Sequence, residues 1–440
     1  MMKSPLIQQM KHRLCGTSAI RKDVVWTFVT QIVTMISAFV VTKLVSNLFS
    51  IEEFGIYNVV RRSASVLSFV MLAGMGITLP RYLAMYRSQG NFWREISLQQ
   101  VAVAYVVAVT LIILVPSLLF AGKLSSLLTG GDDRLLYMLM FAYAFGLAVS
   151  SLLFAYYRGI KDFKRYAVSQ IVLQLLLISG VVFASGSSVR LLFLLWAVAG
   201  VLVALWFLIR ETIRSRAVLL RVFRSVSFRH EANTAVPYSI PRLIGDFLLF
   251  SFSAFPVVYL SNVMTMTDVA YFSVGLTITN MVTPLFSFLG VVLLPYVSGA
   301  IAAGTFAKTA RHIRQLSWLY LLLSTVLTVL FCLLMSLVIR VFFSSQYLAA
   351  QELCCYMMLS VVPHSLYLLY RNPIDAASAI PYNMLILALS FAVLVVLFLQ
   401  SSRLQDYAIA YVVASAVQGL LSLIAWLWLK RQLNSGSHAA

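Results

Sequence analysis

Apolar residues in this chain come in long unbroken runs, not in the alternation of a half-buried strand. Twelve runs predict helices near 24–48, 55–79, 97–120, 135–157, 166–185, 190–209, 236–260, 270–295, 316–339, 352–370, 383–400 and 406–429. Each is close to or above the roughly twenty residues needed to cross a hydrocarbon core. Backbone polar groups in lipid must be satisfied inside helices or closed barrels, and unbroken runs select helices. The expected fold class is an all-α integral membrane protein of about twelve transmembrane helices.

Composition sharpens this and excludes a soluble domain. Of 440 residues, 61% are hydrophobic and 11% charged, whereas soluble domains carry about a quarter charged. A net charge of +19 would suit nucleic acid if it were gathered on one face. Here the basic residues lie in short segments between apolar runs, which is topology signalling. With a cytoplasmic N-terminus, 24 of the 33 Lys and Arg fall on the cytoplasmic side and five on the other. That imbalance supports an even number of spans, both termini in the cytoplasm and no nucleic-acid partner. The first 23 residues are polar and basic, and the run after them is long enough to span, so no cleaved signal peptide is expected. Cys15, Cys332, Cys354 and Cys355 lack metal or redox spacing. No metal or cofactor is expected.

The segment Arg210–Asn233 is the longest polar stretch. It divides the chain into an N-terminal six-helix lobe (1–209), a basic cytoplasmic linker (210–233) and a C-terminal six-helix lobe (234–440). The halves repeat. An offset of 215 residues aligns Ser46-Asn47 with Ser261-Asn262, Glu53 with Asp268, Gly55 with Ala270, Tyr57 with Phe272, and Leu79-Pro80 with Leu294-Pro295. Six spans precede the second copy, so both copies insert in one orientation, as in transporters whose substrate path runs between parallel repeats.

Five ionisable residues fall inside spans: Lys43, Arg61, Arg62, Arg242 and Asp246. Each costs about 2.5–3.5 kcal/mol at a helix centre on insertion scales, so each must face water, a partner or a ligand. At about 100° per residue, Asn58, Arg61, Arg62, Ser65 and Ser68 share one face of the second span. Ser273, Thr277, Asn280 and Thr283 repeat that face without charge. Thr27, Thr30, Gln31, Thr34 and Ser37 line the first span, and Ser239, Arg242, Asp246 and Ser253 the seventh. The simplest geometry turns these four faces onto a central cavity between the lobes, although Ser and Thr stripes also serve as interhelical glue. The expected substrate-binding residues are Arg61, Arg62, Arg242, Asn58, Ser65, Gln31 and Asn280. Asp246 is the acidic candidate for cation coupling. Arg242 and Asp246 stand i,i+4, a spacing that equally serves mutual neutralisation. Lys43 lies off its stripe and reads as a residue snorkelling to headgroups, and His364 reads as packing. Pro237 and Pro241 are expected to bend or break the seventh span.

The cationic surplus favours an anionic ligand. Arg grips phosphate with a planar fork and stays charged when partly desolvated, so a pyrophosphate matches. There is no G-x-x-x-x-G-K-[ST] loop, and no external loop is long enough to hold catalytic machinery. A non-enzymatic transporter is expected.

Ile51-Glu-Glu-Phe-Gly-Ile-Tyr57, followed by Gly74-Met-Gly-Ile-Thr-Leu-Pro-Arg-Tyr-Leu-Ala84, resembles the N-terminal signature of polysaccharide-biosynthesis (Wzx-type) flippases. These belong to the multidrug/oligosaccharidyl-lipid/polysaccharide (MOP) exporter superfamily, which includes the MATE transporters. The resemblance implies two lobes working by alternating access in the bacterial inner membrane. It implies a substrate of undecaprenyl-pyrophosphate-linked oligosaccharide, such as an O-antigen or capsule unit, and other glycan-assembly membrane proteins as possible partners. Cavity arginines in that family bind the pyrophosphate or acidic sugars, and Arg61, Arg62 and Arg242 are the matching positions. The uncharged second-lobe face departs from what a lipid II flippase would carry. Two rival expectations are a cation-coupled multidrug exporter, which would want cavity carboxylates, and a membrane-embedded glycan polymerase, which would want a large catalytic external loop.

Overall fold

The computed structural model describes residues 5–129, 131–214, 228–302, 306–378 and 380–434. Its side chains are described from Val25 onward, apart from most of 207–214 and positions that include Arg242, Asp246 and much of 288–299. The centre of the predicted basic linker, 215–227, lies outside the described residues.

No strand occurs among the described residues. In chain order the helices are α1 (Pro5–Leu48), α2 (Ile51–Leu72), α3 (Met75–Ser88), α4 (Phe92–Leu119), α5 (Ala121–Thr129), α6 (Arg134–Gly159), α7 (Phe163–Ala184) and α8 (Val189–Arg214). There follow α9 (Phe228–Val263), α10 (Met266–Ala302), α11 (Phe306–Leu333), α12 (Met335–Phe342), α13 (Gln351–Met358), α14 (Val361–Ala377), α15 (Tyr382–Gln400) and α16 (Leu404–Asn434). Eleven stretches among the described residues are long and apolar enough to cross a membrane, and the bent pair α13–α14 brings the total to twelve. Each corresponds to one of the runs read from the sequence. The chain is a multi-pass α-helical membrane protein.

Local chemistry sets many boundaries. Asn91, Asp133 and Asp162 each accept a backbone N–H three residues on, from Arg94, Leu136 and Arg165, and so start α4, α6 and α7. The two halves share one such device at equivalent places. Ser50 Oγ accepts the Glu53 N–H at 3.2 Å while Glu53 Oε2 accepts the Ser50 N–H at 3.3 Å. Thr265 and Asp268, both 215 residues later, make the same reciprocal pair at 3.2 and 3.3 Å. One turn earlier, Asn47 donates to the Lys43 carbonyl at 2.7 Å and its counterpart Asn262 to the Val258 carbonyl at 2.8 Å. The 215-residue repeat therefore holds in atomic detail.

The helix breaks fall elsewhere than the prolines suggest. Of the expected bend or break at Pro237 and Pro241, the break does not occur: α9 runs uninterrupted through both. A proline removes one backbone hydrogen bond, and transmembrane helices tolerate that loss when neighbours re-satisfy the freed carbonyl. The second span, expected to be continuous, breaks between α2 and α3 at Ala73 and Gly74, where φ is 50° and 75°. A Cβ on Gly74 would sit 2.3 Å from the Ser239 carbonyl oxygen of α9. The backbones approach so closely there that only glycine fits, in a conformation only glycine adopts freely. The tenth span bends by 45° between α13 and α14. Pro363, in the first turn of α14, has no N–H to offer the Leu359 carbonyl, while Thr328 Oγ1 donates to the neighbouring Met358 carbonyl at 3.3 Å.

Two compact units emerge, and they are not the halves of the chain. The first comprises 1–48, 67–124 and 133–243, and the second 49–66, 125–132 and 244–440. In the first, α6 packs on α8, Ser150 Oγ donating to the Gly200 carbonyl at 3.0 Å. Its core around Leu79, Leu83, Tyr86 and Leu98 also takes in Ala235 of α9. The second is built on α10, α14 and α16 around Phe252, Phe272, Met357, Phe398 and Tyr411, and takes in Val59 from the start of α2. Ser63 of α2 donates to the Leu128 carbonyl at 2.9 Å and Asn262 to that of Leu127 at 3.0 Å, so the end of α5 is tied into this unit too. The first part of α2 thus joins the second unit, and the first four turns of α9 join the first.

Candidate functional site

Both arginines of α2 belong to the second unit. Arg62 is 8% exposed. Its Nη1 donates to the Ser253 carbonyl of α9 at 3.1 Å, and its Nε has no hydrogen-bond partner among the described residues. Arg61 is half-buried, its guanidinium 5.5 Å from the centroid of the Tyr57 ring, a cation–π arrangement. Ion pairs form elsewhere, at Arg94–Glu231, Arg165–Asp162 and Arg190–Asp133. Neither α2 guanidinium meets a carboxylate among the described residues. Two adjacent cations in an apolar segment are thus held by a carbonyl and an aromatic face, with no carboxylate partner among the described residues.

Beside them the second unit contains a cavity of about 320 Å³. At about 30 Å³ per liquid water, that is room for roughly ten. α9 contributes Phe250 and Ser253, the residue whose carbonyl holds Arg62; α10 contributes Asn280 and Thr283. The walls from α14 and α16 are the most functional in character. His364 Nδ1 stands 3.0 Å from Gln418 Oε1, so with that amide orientation Nδ1 is the donor, and Nε2 keeps no partner among the described residues. Tyr367 also lines the cavity; it is fully buried, and its hydroxyl has no partner among the described residues. Arg371 completes the wall. The nearby carboxylate of Asp375 accepts from Asn383 at 2.7 Å instead of pairing with it. No Asp or Glu is among the lining residues. The bend of the tenth span, at Ser360, opens on the same space, consistent with irregular backbone at membrane depth occurring where it lines a cavity.

The expected site residues are divided between the two units. Arg61, Arg62 and Asn58 lie together on α2, but the buried Asn58 donates to its own helix, to the Phe54 carbonyl at 2.8 Å. Ser65 likewise donates back to the Arg61 carbonyl at 2.8 Å. Asn280 lines the cavity. Gln31 is exposed on α1, in the first unit. Arg242 and Asp246 lie in α9, and their side chains are outside the described residues.

Sequence reasoning missed Gln418, Tyr367 and Arg371, and gave His364 a packing role. The i,i+3 and i,i+7 spacing of His364, Tyr367 and Arg371 was the available signal. It also missed a cluster in the first unit. Glu231, with no exposed surface, accepts from Arg94 Nε at 2.6 Å and from the Tyr86 hydroxyl at 2.5 Å.

A family described as "Polysaccharide biosynthesis protein" matches residues 20–301. No curated protein matches the sequence. Among solved structures, an inward-facing multidrug-resistance MATE transporter of the MOP superfamily superposes with a TM-score of 0.69 at 13% identity, over 93% of this chain and 96% of that one. The lipid II flippase MurJ, in an inward closed conformation, gives 0.67 at 12% identity over 94% and 90%. A MOP transporter from Pyrococcus furiosus, described as having a binding pocket of reversed polarity, gives 0.57 at 12% over 96% of each chain. The fold is that of the MOP transporters.

Proposed function

The chain belongs to the polysaccharide biosynthesis protein family, and on that premise we propose that it is a flippase carrying undecaprenyl-pyrophosphate-linked oligosaccharide across the bacterial inner membrane. The observation that supports this reading is the arginine pair. Arg61 and Arg62 stand adjacent on α2 and meet no carboxylate among the described residues, and a group bearing two phosphates would supply opposite charge. Arg62 keeps Nε open beside its tether, and Arg61 lies half-buried against the Tyr57 ring. Arg242, on the span that occupies the same repeat position as α1, remains the third candidate cation, with Asp246 the candidate for coupling. In this reading both termini are cytoplasmic, substrate moves from the inner to the outer leaflet by alternating access, and no chemical bond is made or broken.

The MATE-like fold alone would serve a drug exporter equally well. Cationic drugs need acidic walls, however, and the arginine pair and the carboxylate-free cavity disfavour them. The deciding experiment is deletion of the gene in its native host, followed by mass analysis of membrane lipids. Accumulation of a polyprenyl-pyrophosphate-linked oligosaccharide is expected, with loss of the corresponding surface glycan. Unchanged lipid-linked intermediates together with heightened sensitivity to cationic drugs would replace the flippase with the exporter.

A further inference from the structure

We propose that Cys332 and Cys355 are the two halves of a disulfide that fastens the outer part of the tenth span to the ninth. The fold makes this pair, since 23 residues separate the two cysteines in sequence. Cys332 stands at the end of α11, and Cys355 one turn into α13. Each thiol is turned onto the other's backbone. Cys332 Sγ lies 3.8 Å from the Cys355 carbonyl oxygen, and Cys355 Sγ lies 3.9 Å from that of Cys332. The two thiols also interact with one another. Cysteines that point toward each other across so short a gap suit a disulfide, which fails where the Cβ vectors diverge. Contacts on either side hold the register. Thr328, one turn before Cys332, donates to the Met358 carbonyl at 3.3 Å, and Ser336, one turn after it, donates to Gln351 Oε1 at 2.7 Å. The cysteines are thus the middle rung of three between antiparallel segments. Cys354 is fully buried and points about 100° round the helix from Cys355, so it does not compete.

The compartment follows from topology. The start of α11 carries the basic segment 308–314, which the positive-inside count puts in the cytoplasm, so the end of α11 reaches the periplasmic face. The proposal rests on that orientation, which is part of the flippase reading. The bacterial periplasm is oxidising, and disulfides form and persist there. Cys332 and Cys355 are half-buried and not sealed in the core. The co-reactant is a periplasmic thiol oxidase, a protein that carries a reactive disulfide. One cysteine thiolate attacks that disulfide, breaking its S–S bond and forming a mixed disulfide. The second thiolate attacks the mixed disulfide and displaces the oxidase. The two cysteines lose two protons and two electrons, and the oxidase takes up both as a dithiol. The new bond closes the stretch that holds α12 and so restricts the unfolded chain. In the folded protein it ties α13 to α11 and leaves the 45° bend before α14 as the joint of the tenth span.

The test counts free thiols of the full-length protein in membranes of its native host, acid-trapped, denatured and treated with polyethylene-glycol maleimide. Of the four cysteines, two are expected to react, Cys15 and Cys354, and all four after reduction. Cys354→Ser should keep the bond, giving one adduct before reduction and three after. Cys332→Ser and Cys355→Ser should each give three adducts with or without reduction. Reduction should lower the melting temperature of the purified wild-type protein in detergent by several degrees and leave that of Cys332→Ser unchanged. Four adducts on the wild-type chain in native membranes, or a bond that survives Cys355→Ser, would overturn the proposal. Oxidation of isolated membranes with copper phenanthroline then separates the reasons. A bond formed only with that permeant oxidant keeps the pairing but places it on the reducing side, against the export orientation. Four adducts even then refute the pairing alone. The flippase reading is judged by the accumulated lipid-linked intermediate, which the thiol count does not touch.

Discussion

Arg61 and Arg62 are neighbours in sequence with different local duties. Arg62 is buried and tied to the Ser253 carbonyl, while Arg61 is half-buried against the Tyr57 ring. Replacing Arg62 by Ala removes a charge-assisted hydrogen bond and a buried side chain, at about 1–3 kcal/mol. Arg61→Ala removes a half-buried side chain from a ring face and should cost less. Both variants should abolish surface glycan in a complementation assay, but only Arg62→Ala should also lower the yield of folded protein in fluorescence-detected size-exclusion chromatography. Arg61→Lys should rescue export in part, since it restores charge but not the planar fork. Full export by the double alanine variant would end the role of the pair in anion binding. These residues were legible in the sequence because charge inside an apolar run is conspicuous. Tyr367 and Gln418 were not, because a tyrosine or an amide in such a run is ordinary and only its surroundings make it an unfilled partner. Glu231 was hidden for another reason: it stands in a polar flank, and its partner Arg94 is 137 residues away.

At the scale of helices, hydropathy located the spans well, since the bilayer imposes one length on all of them. It said little about continuity. Proline is the expected breaker, yet α9 carries Pro237 and Pro241 unbroken, while the second span breaks at Ala73–Gly74. The break depends on the passage of the Ser239 carbonyl, a contact 165 positions distant that no local pattern contains. Gly74→Ala meets two penalties, a positive φ and a Cβ 2.3 Å from that oxygen. It should destabilise the protein by about 1–3 kcal/mol, seen as a lower melting temperature in detergent. By contrast Gly90→Ala, also at positive φ but in open space, should cost less. Equal melting temperatures for the two would mean that the approach to α9 relaxes freely.

For the whole molecule, the sequence proposed lobes divided at 209 and 234, whereas compactness groups 49–66 and 125–132 with the C-terminal half and 228–243 with the N-terminal half. Covalent order and repeat symmetry are read directly from a sequence, but which helix ends pack together is a property of one conformation. The positive-inside count gives a firm expectation at this scale. Cysteine at Gln405 should react with an impermeant thiol reagent from the periplasm, and cysteine at Gln89 should react only after permeabilisation. Labelling of Gln89→Cys in intact cells would invert the orientation.

The matched capping pairs of the two halves bear on how freely their parts can be exchanged. Residues 43–57 and 258–272 form the same helix–turn–helix with the same reciprocal hydrogen bonds, so each is a ready-made graft for the other's place. Traffic should nevertheless run one way. Position 55 is glycine with its Cα against the Met266 carbonyl, where an added Cβ would come within 2.2 Å, and the equivalent position 270 is alanine. A chimera carrying the first hairpin in the second place puts glycine where alanine was and should accumulate as folded protein. The reciprocal chimera forces a methyl group into a backbone and should not. Exchange between the two places should thus be permitted in one direction only, and a single carbon atom at position 55 sets that direction.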